Sequence, residues 1–173
     1  MRRVYAREEV CISCRLCEVG CAVEHSESKQ MITAMRHEKP KPIARIHVEA
    51  EGPISFAFQC RHCEEPSCAA ACLTQALNKG KDGVVRYDPE YCIACYTCML
   101  ACPHGAIVKA SRPGWKGVAK CDLCPGREIP ACVEICPNEA LLFGEDDEWQ
   151  EMREAPQPIP VSAGLVTTGG HRG

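Results

Sequence analysis

The sequence predicts a small α+β protein of short helices and β-hairpins, held together by cysteine-ligated groups more than by a large apolar core. Three observations carry this. Sixteen of the 173 residues are cysteine, whereas aromatic residues make up only 5 %. The cysteines form four groups of one pattern: Cys11, Cys14, Cys17, Cys21; then Cys60, Cys63, Cys68, Cys72; then Cys92, Cys95, Cys98, Cys102; then Cys121, Cys124, Cys132, Cys136. Between the groups run short strand-like segments broken by Gly and Pro, the mark of hairpins. The apolar fraction is 46 %, but cysteine is counted in it, and few large aliphatic side chains remain for a core.

Every group begins C-x2-C and ends C-x3-C, with a middle gap of two, four, two and seven residues in turn. This is an internal repeat of irregular period. It runs past the cysteines: "CLTQAL" (72–77), "CPHGAI" (102–107) and "CPNEAL" (136–141) share a cysteine, three residues, alanine and a branched aliphatic. The pattern predicts a fourth cysteine, a tight turn and the start of a strand. "ALNKGKDGVVRYD" (76–88) reads as a hairpin turning over Gly80 to Gly83, with Val84 to Tyr87 as the return strand. "AIVKASRPGWKGVAK" (106–120) reads likewise about Pro113-Gly114, and "RIHVEAEGPISFAFQC" (45–60) about Gly52-Pro53. Short helices are expected within the C-x3-C segments, as in "SCAAACL" (67–73) and "ACVEICP" (131–137), and residues 25–42 read as polar and irregular.

The formal net charge is −3, and residues 145–154 hold six acids and one base. Outside them the balance is 19 bases against 17 acids, a near-neutral body with no nucleic-acid footprint. A Pro-rich stretch (155–161) and a Gly-rich end (167–173) follow, so residues 144–173 read as an extended tail suited to docking on a partner or on a second copy. No stretch approaches the ~18 apolar residues of a membrane span. Arg2 and Arg3 precede Glu8, Glu9 and cysteines, not an apolar signal core. A reduced cytoplasmic setting is therefore expected. No G-x-G-x-x-G, G-x-x-x-x-G-K-[ST] or H-E-x-x-H occurs, so nucleotide and peptidase chemistry have no support.

A thiolate is a soft ligand for zinc, Cu(I) or iron–sulfur clusters, and spacing chooses among them. Structural zinc sites usually combine two separated C-x2-C knuckles. Here a third cysteine follows closely, and a fourth lies three residues further on. Three thiolates so spaced wrap one face of a cubane, and the fourth serves a neighbouring cluster, as in the C-x2-C-x2-C-x3-C-P run that residues 92–103 reproduce. Proline after the fourth cysteine, at Pro103 and Pro137, turns the chain sharply; Ala22 and Leu73 stand there in the other two groups. A zinc-stapled interaction module without a redox role is the competing reading. Sixteen thiolates fill four complete sets, leaving no open coordination site for a substrate, so a non-catalytic role is expected. His62 and His104 are expected beside clusters as hydrogen-bond donors. Arg61 and Lys120 abut cysteines, either offsetting cluster charge or lying in solvent. Spacing alone leaves open whether groups one and four, and two and three, share clusters, or one and two, and three and four.

"CISCRLCEVGCAVEHS", "QCRHCEEPSCAAAC", "YCIACYTCMLACPHGAI" and "KCDLCPGREIPACVEICPNEAL" together resemble the four motifs of the four-cluster ferredoxin-like electron-transfer subunits. These are the iron–sulfur partners of dimethyl sulfoxide reductase-type molybdenum enzymes, formate dehydrogenases and hydrogenases. Within that family the chain is most similar to the iron–sulfur protein associated with carbon monoxide dehydrogenase and to those serving tungsten aldehyde oxidoreductases. The resemblance covers residues 4–143. It implies two ferredoxin-like halves, 1–24 with 111–143 and 54–110, separated by an insertion over 25–53. It further implies four [4Fe-4S] clusters: one held by Cys11, Cys14, Cys17 and Cys136; one by Cys121, Cys124, Cys132 and Cys21; one by Cys60, Cys63, Cys68 and Cys102; one by Cys92, Cys95, Cys98 and Cys72. Its implied partners are a large catalytic metalloenzyme subunit of tungsten, molybdenum or nickel–iron type, and a ferredoxin or flavin subunit as electron acceptor.

Overall fold

Residues 1–154 are described by the structure, a computed structural model. Its sheets are four antiparallel strand pairs. β1 (Arg3–Ala6) pairs with β8 (Leu141–Gly144), setting Val4 opposite Phe143 and Ala6 opposite Leu141. The other three are the expected hairpins: β2 (Ile46–Glu51) with β3 (Ile54–Gln59), β4 (Leu77–Lys79) with β5 (Val85–Tyr87), and β6 (Val108–Arg112) with β7 (Trp115–Ala119). Gly52 and Gly114 turn two of them at φ +57° and +74°, with open space around the position of a Cβ. Glycine is needed there for its left-handed backbone, not for room.

The first four helices are short and each carries a cysteine. α1 (Leu16–Glu24) carries Cys17 and Cys21, α2 (Ser67–Ala70) carries Cys68, α3 (Thr97–Ala101) carries Cys98 and α4 (Ala131–Glu134) carries Cys132. Residues 25–42, expected as irregular, contain one wide helical turn at Thr33–His37.

Two small cores lie side by side. Val4, Ile46, Val48, Ala57 and Leu141 pack with Cys17, Cys21 and Cys132. Leu77, Val85, Ile107 and Val118 pack with Cys68 and Cys98. Cys60, Ala106 and Cys121 bridge the two. The expected boundaries at 53/54 and 110/111 thus fall inside hairpins: β2–β3 packs wholly with the first core, and β7 carries Val118 into the second. Polar ties agree with this. The Val48 N–H donates to Glu18 on α1 at 2.7 Å, the Gln59 amide to the Val4 carbonyl at 2.7 Å, and the Ser55 hydroxyl to the Cys11 carbonyl at 2.9 Å. α1 and α4 meet at Gly20, where an added Cβ would stand 2.9 Å from Ile135 Cγ2.

The acidic segment departs from the expected extended tail. Residues Asp146–Glu154 form α5, with Asp146, Asp147 and Glu148 in its first turn, where the helix dipole favours acids. The Trp149 ring stacks on Tyr5 of β1 at 5.1 Å between centroids, and the Tyr5 hydroxyl donates to Asp146. Burial, aided by that hydrogen bond, pushes the Tyr5 phenol up to about 12. The Pro- and Gly-rich stretches expected to dock or self-associate, residues 155–173, lie outside the described residues. Among those described, no helix is long and apolar enough to cross a membrane.

Candidate metal centres

The four C-x2-C loops share one backbone device. The residue before the second cysteine is left-handed in each: Ser13 at φ 55°, His62 at 47°, Ala94 at 54° and Leu123 at 63°. None is glycine, so each loop holds roughly 1–2 kcal/mol of backbone cost that something in the finished fold must offset. In the two C-x2-C-x2-C groups, Arg15 (φ 58°) and Tyr96 (φ 60°) are left-handed as well, immediately before α1 and α3. Alternation of right- and left-handed residues gathers successive N–H groups into a concavity suited to an anionic group. The Ala94 N–H already points to the Cys92 sulfur at 3.4 Å, and the Arg45 N–H to the Cys21 sulfur at 3.2 Å.

A second device follows the fourth cysteine in groups two, three and four. The carbonyls of Cys72, Cys102 and Cys136 accept from the N–H of Gln75, Gly105 and Glu139, closing the expected tight turns. The three closing residues have φ of 56°, 61° and 50°, so two of the three turns place a non-glycine residue where glycine fits best. Glu139→Gly is therefore expected to stabilise the holoprotein, by about 1 kcal/mol as an upper figure. Thermal unfolding of the intact holoprotein would check this.

The turns bring cysteines of different groups together. One small pocket is lined by Cys11, Cys14, Cys17 and Cys136. A second is lined by Cys60, Cys63, Cys68 and Cys102, and a third by Cys72, Cys92, Cys95 and Cys98. The remaining four, Cys21, Cys121, Cys124 and Cys132, are all buried. Burial pushes the Cys132 thiol well above its ordinary value, and the neighbouring sulfurs of Cys121, Cys21 and Cys124 push the same way. Each of the four gatherings draws three cysteines from one group and one from another. The gatherings mix cysteines of groups one and four, and of groups two and three. Four sulfurs meet in each set, a donor chemistry that fits iron–sulfur clusters or zinc and disfavours hard cations; in the buried set His25 and Asp122 also come within 4.8 Å of the Cys124 sulfur.

Burial also raises the thiols of Cys17 and Cys121 to about 12 and that of Cys98 to about 11. These are neutral thiols packed as small hydrophobes, which a bound metal would deprotonate.

The groups around the cysteines divide sharply. His62 is fully buried; its Nδ1 accepts from the Val85 N–H at 3.1 Å, which leaves the proton on Nε2, where no protein acceptor meets it. Burial drives its pKa down to about 3, so the ring is neutral. His104 is exposed at the rim of the Cys60 pocket. Arg61 is exposed, whereas Lys120 is buried. His25 bridges Cys21 and Asp122: its Nδ1 lies 3.6 Å from the Cys21 sulfur and its Nε2 3.1 Å from Asp122, which also pairs with Arg45. Burial works against a charged His25, but the hydrogen bonds to Asp122 and Cys21 outweigh it and hold its pKa up at about 9. The loop between Cys124 and Cys132 is clamped by Arg127, which reaches Glu24 of α1 at 2.9 Å and also pairs with Glu134. Sequence reasoning did not mark the left-handed loop positions Ser13, Arg15, His62, Ala94, Tyr96 and Leu123, because none is glycine.

Comparison with known proteins follows the same lines. Residues 54–146 match the family model described as a 4Fe-4S dicluster domain. The chain is 38 % identical over 159 residues to the putative electron transport protein YsaA of Escherichia coli, covering 91 % of this chain and 99 % of that one. It is 37 % identical over 165 residues to the electron transport protein HydN of Escherichia coli (87 % and 92 % covered). To an iron-sulfur protein of Rhodospirillum rubrum it is 37 % identical over 167 residues, with 88 % and 87 % covered. Among solved structures, a chain of the active site complex BamBC of benzoyl coenzyme A reductase is similar at a TM-score of 0.45 and 23 % identity, over 88 % of this chain and 85 % of that one.

Proposed function

The chain belongs to the 4Fe-4S dicluster family of iron–sulfur electron-transport proteins, and from that premise we propose that it is a non-catalytic relay subunit carrying four [4Fe-4S] clusters. When bound, these clusters supply one-electron carriers in series. Cys11, Cys14, Cys17 and Cys136 hold the first; Cys21, Cys121, Cys124 and Cys132 the second; Cys60, Cys63, Cys68 and Cys102 the third; Cys72, Cys92, Cys95 and Cys98 the fourth. The observation that carries this reading is the sorting of sixteen cysteines into four sets of four, each set completed by a cysteine from another group.

Contacts between sets support that order. Cys17 packs in one core with Cys132, Cys60 with Cys121, and Cys68 with Cys98. The two end sets each present an exposed cysteine, Cys14 and Cys95. Beside them stand Ile12, 60 % exposed, and Ile93, 62 % exposed, the same position in two repeats. Apolar side chains in solvent next to a redox ligand suit protein partners at both ends. One partner is a large catalytic subunit of carbon monoxide dehydrogenase, aldehyde oxidoreductase, formate dehydrogenase or hydrogenase type; the other is a ferredoxin or flavin subunit.

Anaerobically purified protein is expected to be brown and to contain about sixteen iron and sixteen acid-labile sulfide per chain. Eight of each would reduce the reading to two clusters. Colourless protein with stoichiometric zinc would replace it with the zinc-stapled module.

A further inference from the structure

Lys120 is 2 % exposed, and among the described residues it is the one Lys, Arg, Asp or Glu side chain that is buried. Its ammonium donates to the Cys121 carbonyl at 2.7 Å and to the Val85 carbonyl. Val85 belongs to the second core, and Cys121 packs with Cys60 where the two cores meet. The cation therefore stands at the seam between the Cys21/Cys121/Cys124/Cys132 set and the Cys60/Cys63/Cys68/Cys102 set. No described carboxylate forms an ion pair with it. Asp122, two residues along, is engaged by Arg45 and His25. Two neutral carbonyls do not repay the desolvation of an ammonium, so a buried charge so placed calls for an anion nearby. The sulfurs around it are the candidates. Val85 lines the pocket of Cys60, Cys63, Cys68 and Cys102, and Cys60 packs with Cys121 at the seam.

We propose that Lys120 is a fixed internal cation that raises the reduction potentials of the two inner clusters and leaves those of the two outer clusters nearly unchanged. Reduction adds one electron to a cluster and no proton, so a stationary positive charge in a buried seam stabilises the reduced form of whichever cluster it adjoins. The inner pair is then where an electron crossing between halves is held most favourably. Lys120 acts here as a positioning and tuning residue and touches no substrate.

The inference rests on the four-cluster reading, and its test separates the two. Lys120→Gln keeps a hydrogen-bond donor toward the carbonyls and removes the charge; Lys120→Arg keeps the charge. Both would be titrated potentiometrically by EPR beside the unaltered protein, with iron and sulfide measured in the same samples. In Lys120→Gln the reduction equilibrium of two clusters is expected to fall about tenfold each, which is ~59 mV more negative for a one-electron couple, with the other two unmoved. Lys120→Arg should stay near the unaltered values. Four clusters with unchanged potentials in Lys120→Gln would overturn the inference and leave the relay intact. So would equal shifts in both variants, or loss of iron from both, since Lys120 would then serve assembly and not charge. Fewer than four clusters in the unaltered protein would instead overturn the relay reading itself.

Discussion

Cys21→Ala is expected to damage the cluster assigned to Cys121, Cys124 and Cys132, a hundred residues away in sequence, and to spare the one assigned to Cys11, Cys14 and Cys17 beside it. Cys21 lies four residues beyond Cys17 on the same helix, α1, so the two sulfurs share a helix face. Their surroundings nevertheless differ. Cys17 lines a pocket with Cys136, while Cys21 is 5 % exposed and neighbours Cys121, Cys124 and Cys132. Removing one thiolate from a [4Fe-4S] site loses at least the iron it held and at most all four. The iron count should therefore fall by one to four per chain, with a new or missing EPR component. Double variants identify the set. If Cys21 and Cys132 hold one cluster, losing both should cost little more than losing either. If Cys21 and Cys17 hold different clusters, their losses should add. Additive loss for Cys21 with Cys132, and saturating loss for Cys21 with Cys17, would overturn the cross-group assignment.

That cross-over shows what was legible in the sequence. The hairpins were, because Gly52-Pro53, Gly80 to Gly83 and Pro113-Gly114 announce turns locally and the strands beside them are hydrogen-bonded to near neighbours. The turns after Cys72, Cys102 and Cys136 were too, because the repeat displays them three times. β1 was not: "RVYA" is four residues long, and its partner β8 lies about 140 residues on, so no local pattern betrays it. α5 was read as extended tail because its acids dominate, yet Trp149 gives it a surface to rest on in the Tyr5 ring. The expected domain limits at 53/54 and 110/111 cut hairpins for a similar reason. Residues 25–53 read as an insertion between cysteine groups, but Ile46 and Val48 supply part of the first core together with Ala57 across the hairpin. The cysteines themselves were all found. Their sorting into sets came from the resemblance, because spacing permits two pairings; the packing of α1 against α4, through Gly20 and Ile135, brings groups one and four side by side.

Removing the iron is expected to unfold the described fold as a whole, not to leave an empty version of it. Among the described residues the buried large aliphatic side chains are Val4, Ile46, Val48, Leu77, Val85, Ile107, Val118 and Leu141, and the rest of the buried apolar set is alanine, cysteine and Pro130. A core this sparse does little to offset the conformational entropy lost when the chain is ordered. The left-handed residues in all four cysteine loops add further cost. Metal binding must make up the difference, and binding of thiolate-held metal is worth on the order of 10 kcal/mol where it has been weighed against folding. Anaerobic chelation should therefore abolish amide protection in β2–β3 and β6–β7 together, as followed by hydrogen exchange. Protection that persists in the iron-free chain would overturn this. Acid should hasten the loss. Burial raises the thiols of Cys17 and Cys121 to about 12 and that of Cys98 to about 11 in the metal-free fold, so each binds its proton more firmly than an unfolded cysteine does. That term favours the metal-free fold below the ordinary thiol pKa and fades as pH rises from there through the raised values. Cluster binding runs the other way, because every ligand thiol must release its proton, so retention strengthens with rising pH and weakens as pH falls. The rate of iron release to a chelator should accordingly climb as pH is lowered from 8 toward 6, and a rate independent of pH would show that thiol protonation plays no part in the loss.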